Sequence, residues 1–235
     1  MIGASGASDF RAWLVCTLRE TMGPEADAPD TAAAAVHAAR LLAGGAPVAL
    51  ERLGTSLGWE AERVAAAMRR LREGRQVEAD DEGRIVGAAG LSLRPTAHRF
   101  EAAGRQLYTW CALDALFFPA LLGTPARVTS ACPVTGADVH LTVTPDAGVA
   151  DLAPPGAVVS IPIPEGRSAV AGCGPGACAE LFGPGGAFCG NAHFFASERA
   201  AQIWLRDHPR AVTLPAADAC ALAVEVWAEP LLRHA

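Results

Sequence analysis

The sequence predicts an α+β protein, helical in its first half and mixed in its second. Three observations carry that prediction. Ala-rich segments with helical apolar spacing fill most of the chain before residue 74. Two short β-type runs around Asp80-Asp-Glu-Gly83 close this region. Beyond residue 92, strand-like runs alternate with helical ones around a stretch rich in Gly, Ala and Cys.

The elements follow in order. Asp9 is expected to cap a first helix with Phe10, Trp13, Leu14 and Leu18 on one face. Thr31 to Leu42 is an Ala-rich helix that ends at Gly44-Gly45. Pro47 opens a shorter helix through Leu53 and Leu57, broken by Gly58. Trp59 to Glu73 forms another, with Val64, Met68 and Leu71 facing inward. Gln76 to Glu78 and Arg84 to Val86 then form a β-hairpin. Helices followed by a hairpin is the order of a winged-helix module, so residues 1–92 read as a winged-helix-like domain and 93–235 as a mixed α+β one. Arg69, Arg70, Arg72 and Arg75 could contact phosphate. Glu60, Glu62 and Glu73 balance them, and the simpler account is a solvated face.

In the second half, residues 91 to 108 read as a strand-rich connector interrupted at Pro95. Arg127 to Ala131 and Val139 to Val143 have strand patterning around the turn Pro133-Val-Thr-Gly136, and Ala157 to Ile163 is a further apolar strand. Glu165 to Gly190 has little periodicity and reads as loop. His193 to Ala196 suits a buried strand. Ser197 caps a helix through Trp204, and Pro215 to Leu232 is a last amphipathic helix.

Composition narrows the function classes. Of 235 residues, 51% are hydrophobic and 19% charged, enough for a sizeable core. A net charge of -6 disfavours a nucleic-acid partner, since phosphate binding needs a basic surface. No signal peptide and no bilayer-length apolar run is visible, so a soluble, cytoplasmic protein without a membrane role is expected. Its seven cysteines are then expected to be reduced. Cys16 and Cys220 sit in helical surroundings and read as small buried hydrophobes. Cys132 opens a tight turn, where a structural role is the simpler account. Cys189 leaves the Gly-rich loop, a position that commonly exposes a reactive group. Cys173, Cys178, Cys189 and His193 are a conceivable zinc set, although the spacing is looser than that of a zinc knuckle.

The pair Cys111 and Asp114 is the sharpest signal. It lies in the apolar run Leu107-Tyr-Thr-Trp-Cys-Ala-Leu-Asp-Ala-Leu-Phe-Phe-Pro119. Three residues is close to one helical turn, which would place thiol and carboxylate on one helix face. A buried carboxylate is costly unless something satisfies or uses it.

That run, the preceding Leu93-Arg-Pro-Thr-Ala-His-Arg-Phe100 and Phe188-Cys-Gly-Asn-Ala-His-Phe-Phe-Ala-Ser197 resemble the organomercurial (alkylmercury) lyase family, over roughly residues 35 to 230. The resemblance implies a winged-helix-like N-terminal region packed on an α+β catalytic core. It implies that Cys111 and Cys189 bind mercury, that Asp114 donates and accepts the proton, and that Cys132 is structural. This chain departs from the pattern in Cys173 and Cys178, candidate additional mercury ligands in a longer loop, and in Gly190 after Cys189.

The reaction implied is protonolysis of a carbon–mercury bond to a hydrocarbon and Hg(II). Soft mercury prefers thiolate ligands, and burial should raise the Asp114 pKa toward neutrality. Trp110, Leu113, Phe117 and Phe118 are candidates to receive the organic group. No organic cofactor is implied. Hg(II) stays on Cys111, Cys189 and Asp114 until external thiols remove it, and a mercuric reductase is the usual recipient in that family. A cysteine-based metal-binding or metal-sensing protein on the same scaffold is the alternative.

Overall fold

The computed structural model describes residues 4–21, 28–163 and 183–233. Four helices open the chain: α1 (Ala4–Thr21), α2 (Pro29–Leu42), α3 (Leu50–Leu57) and α4 (Ala61–Glu73). Pro29 occupies the first turn of α2, where its missing N–H costs nothing. Gly58 takes the left-handed conformation that ends α3. Val64, Met68 and Leu71 line the buried face of α4, as their spacing predicts.

Two expectations for this region are corrected. Helix α1 begins before Asp9, so Asp9 does not cap it. Its buried residues are Leu14, Val15 and Leu18, whereas Phe10 and Trp13 are exposed and pack on one another with ring centroids 5.6 Å apart. The segment after Pro47 is not yet helical either. Val48 bridges Ile85 through two backbone hydrogen bonds, so the chain is held extended until Leu50.

Among the described residues, eleven strands follow: β1 (Val77–Ala79), β2 (Ile85–Ala88), β3 (Leu91–Ser92), β4 (His98–Ala102), β5 (Arg105–Thr109), β6 (Ala126–Ala131), β7 (Asp138–Thr144), β8 (Gly148–Ala153), β9 (Val158–Pro162), β10 (Phe194–Phe195) and β11 (Ala211–Pro215). The first eight form one antiparallel sheet in the order β1-β2-β3-β5-β4-β6-β7-β8, and the last three form a second in the order β10-β9-β11. Strand β3 pairs with both β2 and β5, so the large sheet runs without a break across residue 92.

Helix α5 (Ala112–Leu122) is the centre of the molecule. It is apolar all round and buried along most of its length, as a helix wrapped by protein on every side must be. Phe118 meets Phe100 of the sheet edge-to-face at 6.3 Å. Helices α6 (Glu198–Leu205), α7 (Ala216–Ala223) and α8 (Glu229–Leu232) complete the chain. Ser197 caps α6 by accepting the Ala200 N–H, as its sequence position predicts.

The long C-terminal helix expected from Pro215 is interrupted. Residues Val224–Ala228 form a π turn between α7 and α8, in which the Glu229 N–H donates to the Val224 carbonyl. Pro230 has no N–H to give the Val226 carbonyl, so the α pattern cannot run through unchanged. No helix among the described residues is long and apolar enough to cross a membrane.

Candidate active site

Cys111 does not lie within α5 but caps it. Its backbone is extended, with φ -146° and ψ 174°. Its N–H donates to Asp114 Oδ2 at 2.9 Å, while its side chain accepts the Asp114 N–H. The two groups thus form a capping box in which a thiol takes the place of the usual serine. Spacing of three residues brings them together for this reason, rather than through a shared face inside the helix.

Cys189 reaches the same place from far along the chain. It starts a short 3₁₀ turn, Cys189–Asn191, whose neighbours are held by a set of specific bonds. Asn191 donates its side-chain amide to the Ala187 carbonyl at 2.7 Å. The fully buried Ser160 of β9 donates its hydroxyl to the Asn191 carbonyl at 2.7 Å and accepts the His193 N–H at 2.9 Å. One residue before that, the Ala192 carbonyl accepts the Ala112 N–H at 3.0 Å. The last bond satisfies a free donor in the first turn of α5 and locks the Cys189 segment onto that helix.

The outcome is one buried cluster. One ligand atom from each of Cys111, Asp114 and Cys189 lies within 4.8 Å of the others. Cys189 is therefore not the exposed loop thiol that its sequence context suggests, being only 6% accessible.

Backbone crowds the carboxylate from the other side. Gly90 has φ +111°, and a Cβ there would come within 2.5 Å of Asp114 Cγ and Oδ1. Only glycine combines that dihedral with that close approach. The Gly90 carbonyl also accepts the Trp110 N–H at 2.8 Å, which anchors the residue before Cys111. The Trp110 indole N–H donates to Glu78 at 2.9 Å, and Glu78 also accepts the Ser92 hydroxyl. These supports are invisible in the sequence, because each joins residues from different elements.

Electrostatics follow from burial. Desolvation pushes Asp114 up to about 7, against the opposing hydrogen bonds from the Cys111 side chain and backbone. Desolvation also raises the Cys111 thiol well above its ordinary range, reinforced by its hydrogen bond with Cys189 and by the Asp114 charge. The site thus holds protonated Cys111 beside a carboxyl group poised to gain or lose a proton near neutral pH.

A cavity of about 120 Å³ opens onto this cluster. Asp114, Cys189, Trp110, Phe117 and Trp227 line it on one side, and Thr31, Ala32, Ala35, Arg70 and Leu71 belong to its helical wall. Cys111 does not line the cavity and is 1% accessible, so it sits behind Asp114 and Cys189. Of the four apolar candidates, Trp110 and Phe117 line the cavity. Leu113 and Phe118 instead pack in the core. Trp227 escaped the sequence reading. The π turn carries it, and it stacks on Phe117 at 6.2 Å and tilts over Phe188 at 5.8 Å. A Trp three residues before Pro230 was the available signal. Arg69, Arg70, Arg72 and Arg75 are all exposed, as a solvated face requires; Arg70 also borders the cavity, and Arg75 donates to the Pro184 carbonyl.

The other candidates fall elsewhere. Cys132 is buried in a small separate cluster with Val158, Phe195 and Ala200. Burial would raise its thiol, but hydrogen bonds from Thr135 and from the Ala196, Thr135 and Val134 backbone outweigh that and lower it. Cys220 is buried beside the Leu116 carbonyl, and Cys16 is exposed rather than buried. His193 is not in the cluster; its ring packs edge-on against Trp204. Cys173 and Cys178 lie outside the described residues.

Known proteins share this arrangement of sequence and fold. The alkylmercury lyase family model matches residues 91–228. The alkylmercury lyases of Staphylococcus epidermidis and Streptomyces lividans are each 44% identical to the chain over 180 residues, which is 77% of this chain and 74% and 75% of theirs. That of Pseudomonas putida is 43% identical over 183 residues, 78% of this chain and 77% of its own. The crystal structure of the mercury-bound form of MerB2 covers 85% of this chain and 91% of its own at a TM-score of 0.68. At 22% sequence identity, that likeness is one of fold.

Proposed function

The chain belongs to the alkylmercury lyase family, enzymes of the carbon–mercury bond, and on that premise we propose that Cys111, Cys189 and Asp114 carry out the cleavage. The observation that carries this reading is the cluster itself, two thiols and one neutral-range carboxyl group within 4.8 Å of one another.

The proposed chemistry balances as follows. One cysteine displaces the ligand that accompanies the organomercurial, and its proton leaves with that ligand. The second cysteine then adds to mercury and gives its proton to the Asp114 carboxylate. Two thiolates raise the electron density on the carbon bound to mercury. Asp114 returns the proton to that carbon, the carbon–mercury electron pair becomes the new C–H bond, and the hydrocarbon leaves. Hg(II) remains on Cys111 and Cys189, with Asp114 as a further oxygen donor. A carboxyl group near pH 7 suits both halves of this task, since it must accept a proton and then give it back.

Cys189, at the cavity wall, is the reasonable first ligand, and the deeper Cys111 the second. Trp110, Phe117 and Trp227 would receive the organic group and exclude water around the reacting carbon. External thiols are the proposed acceptors of Hg(II), with a mercuric reductase as later recipient. The order of α2, α3 and α4 before the β1–β2 hairpin supports a winged-helix-like unit over residues 1–92, serving as one wall of the cavity.

The test is direct. Purified protein with phenylmercury and excess 2-mercaptoethanol should release benzene, measured in the headspace. No benzene, with Cys111 and Cys189 shown to be reduced, would overturn the reading.

A further inference from the structure

We propose that Glu78 is a positioning residue for the reaction: its carboxylate fixes the plane of the Trp110 indole, and through it the aromatic wall that the organic group meets beside Cys189. The proposal rests on the lyase reading and adds to it a residue outside the cysteine–carboxyl cluster.

Glu78 is the middle residue of the edge strand β1, and its side chain is only 16% accessible. A carboxylate with so little water around it needs partners. Oε2 accepts the Trp110 indole N–H at 2.9 Å and the hydroxyl of the fully buried Ser92 at 2.9 Å, and Oε1 lies 3.6 Å from Arg94 Nη1. Arg94 is itself held. It donates Nη2 to the Ala79 carbonyl at 3.0 Å and its backbone N–H to Ser92 Oγ at 3.0 Å. Residues of β1, β3 and the turn before α5 thus close on one carboxylate.

The neighbouring strand is shaped to admit that group. The β1–β2 register shifts between Glu78 and Ala79, an irregularity of the kind that re-aims a side chain. Opposite Glu78 stands Gly87, and a Cβ there would overlap the Glu78 carboxylate. Glycine weakens a strand interior, so in the buried β2 it marks a close approach rather than a strand preference.

What this network reaches is Trp110. The Trp110 backbone N–H is held by the Gly90 carbonyl at 2.8 Å and the indole by Glu78, so both ends of the residue before Cys111 are fixed. Trp110 borders the cavity, whereas Glu78 neither lines it nor belongs to the cluster of Cys111, Asp114 and Cys189. Glu78 therefore acts through Trp110. A charged acceptor holds an N–H more strongly than a neutral one. Without it the indole is free to turn about χ2, whose wells are broad, and an aryl group meets a wall that moves. Alignment of the reacting carbon tolerates little of that.

The experiment measures kcat and KM for phenylmercury and methylmercury, each with 2-mercaptoethanol, in wild type and variants. Glu78→Leu should lower kcat/KM about tenfold for phenylmercury and about threefold or less for methylmercury, whose small group makes less use of the indole. Glu78→Gln, which keeps an acceptor oxygen, should recover to within about threefold of wild type. In a Trp110→Phe background there is no indole N–H to hold, so Glu78→Leu should cost less than about twofold more. Losses that multiply in the double variant would show that Glu78 only supports the fold, and would overturn the proposal. So would equal losses for the two substrates, or no recovery in Glu78→Gln. A readout independent of turnover covers the case in which Glu78→Leu does not fold. The Trp110 indole N–H proton signal, identified by its loss in Trp110→Phe, should move upfield in Glu78→Gln while those of the other tryptophans stay in place. A Trp110 signal that Glu78→Gln leaves unmoved also overturns the proposal. Absence of hydrocarbon from wild-type protein would instead overturn the lyase reading, and the indole signal would still report on the Glu78 bond.

Discussion

The two walls of the cavity are built on opposite principles. On the wall that carries the proposed reaction, the backbone around Cys111, Asp114 and Cys189 is tied down. Cys111 and Asp114 bond one another, Ser160 holds the turn after Cys189, and Gly90 presses its backbone against the carboxylate. On the helical wall, among the described residues, the Thr31 hydroxyl has no hydrogen-bond partner and Arg70 is exposed at the cavity edge. The difference matches what each wall has to do. Two thiols and an acid must meet one metal–carbon bond in fixed geometry, so freedom there costs rate.

The largest expected effect breaks the reacting wall outright. Cys111→Ser should lower turnover on the order of 10³-fold or more and weaken Hg(II) retention, measured by hydrocarbon release and by mercury titration. Asp114→Asn sharpens the comparison, because it separates binding from chemistry. Turnover should fall by roughly 10²- to 10⁴-fold while two thiols still hold Hg(II). Normal turnover in this variant would remove Asp114 from the mechanism.

Asp114→Asn also has a stability signature. The folded protein holds this carboxyl group at about 7 against an ordinary 3.8. Its contribution to stability is therefore fully present below pH 3.8 and is lost as pH rises toward 7, above which the buried charge costs most. The variant should accordingly gain on wild type between pH 4 and 7 and level off above, by up to about 4 kcal/mol. Urea denaturation at pH 5 and pH 8 measures it. An advantage that does not grow with pH would show that Asp114 is not buried as described.

Gly90→Ala comes next. The added methyl would strike Asp114 and force a strained dihedral, costing about 1–3 kcal/mol of stability and on the order of 10²-fold in kcat. Ser160→Ala leaves the Asn191 carbonyl without a donor and the His193 N–H without an acceptor. A loss of about 1–3 kcal/mol in denaturation and a smaller, severalfold loss in kcat should follow.

Much of this architecture was legible in the sequence. The Gly58 stop, the Ser197 cap and the β1–β2 hairpin come from local rules that a few neighbouring residues satisfy. What failed was non-local. Strand β8 is largely exposed along the sheet edge, so it lacks the alternation that marks a half-buried strand. Strand β11, Ala211–Pro215, was not anticipated, and only its last residue falls in the helix expected from Pro215. Phe10 and Trp13 share a helix with buried leucines but face outward, because burial depends on what packs there and not on hydrophobicity alone.

For the site, the sequence by itself determined the chemical inventory: a thiol and a carboxyl group three residues apart in an apolar run, and further cysteines to choose from. Which cysteine joins them, how acidic the carboxyl group is and what faces it across the cavity were decided only by tertiary structure. Local spacing brings Asp114 to Cys111 because both belong to one capping box. The approach of Cys189 depends on β9 and on the bond between Ala192 and Ala112, and the Asp114 pKa depends on the segments that exclude water from it. Pairing across long sequence separations and desolvation are properties of the packed molecule, and no stretch of the chain carries them alone.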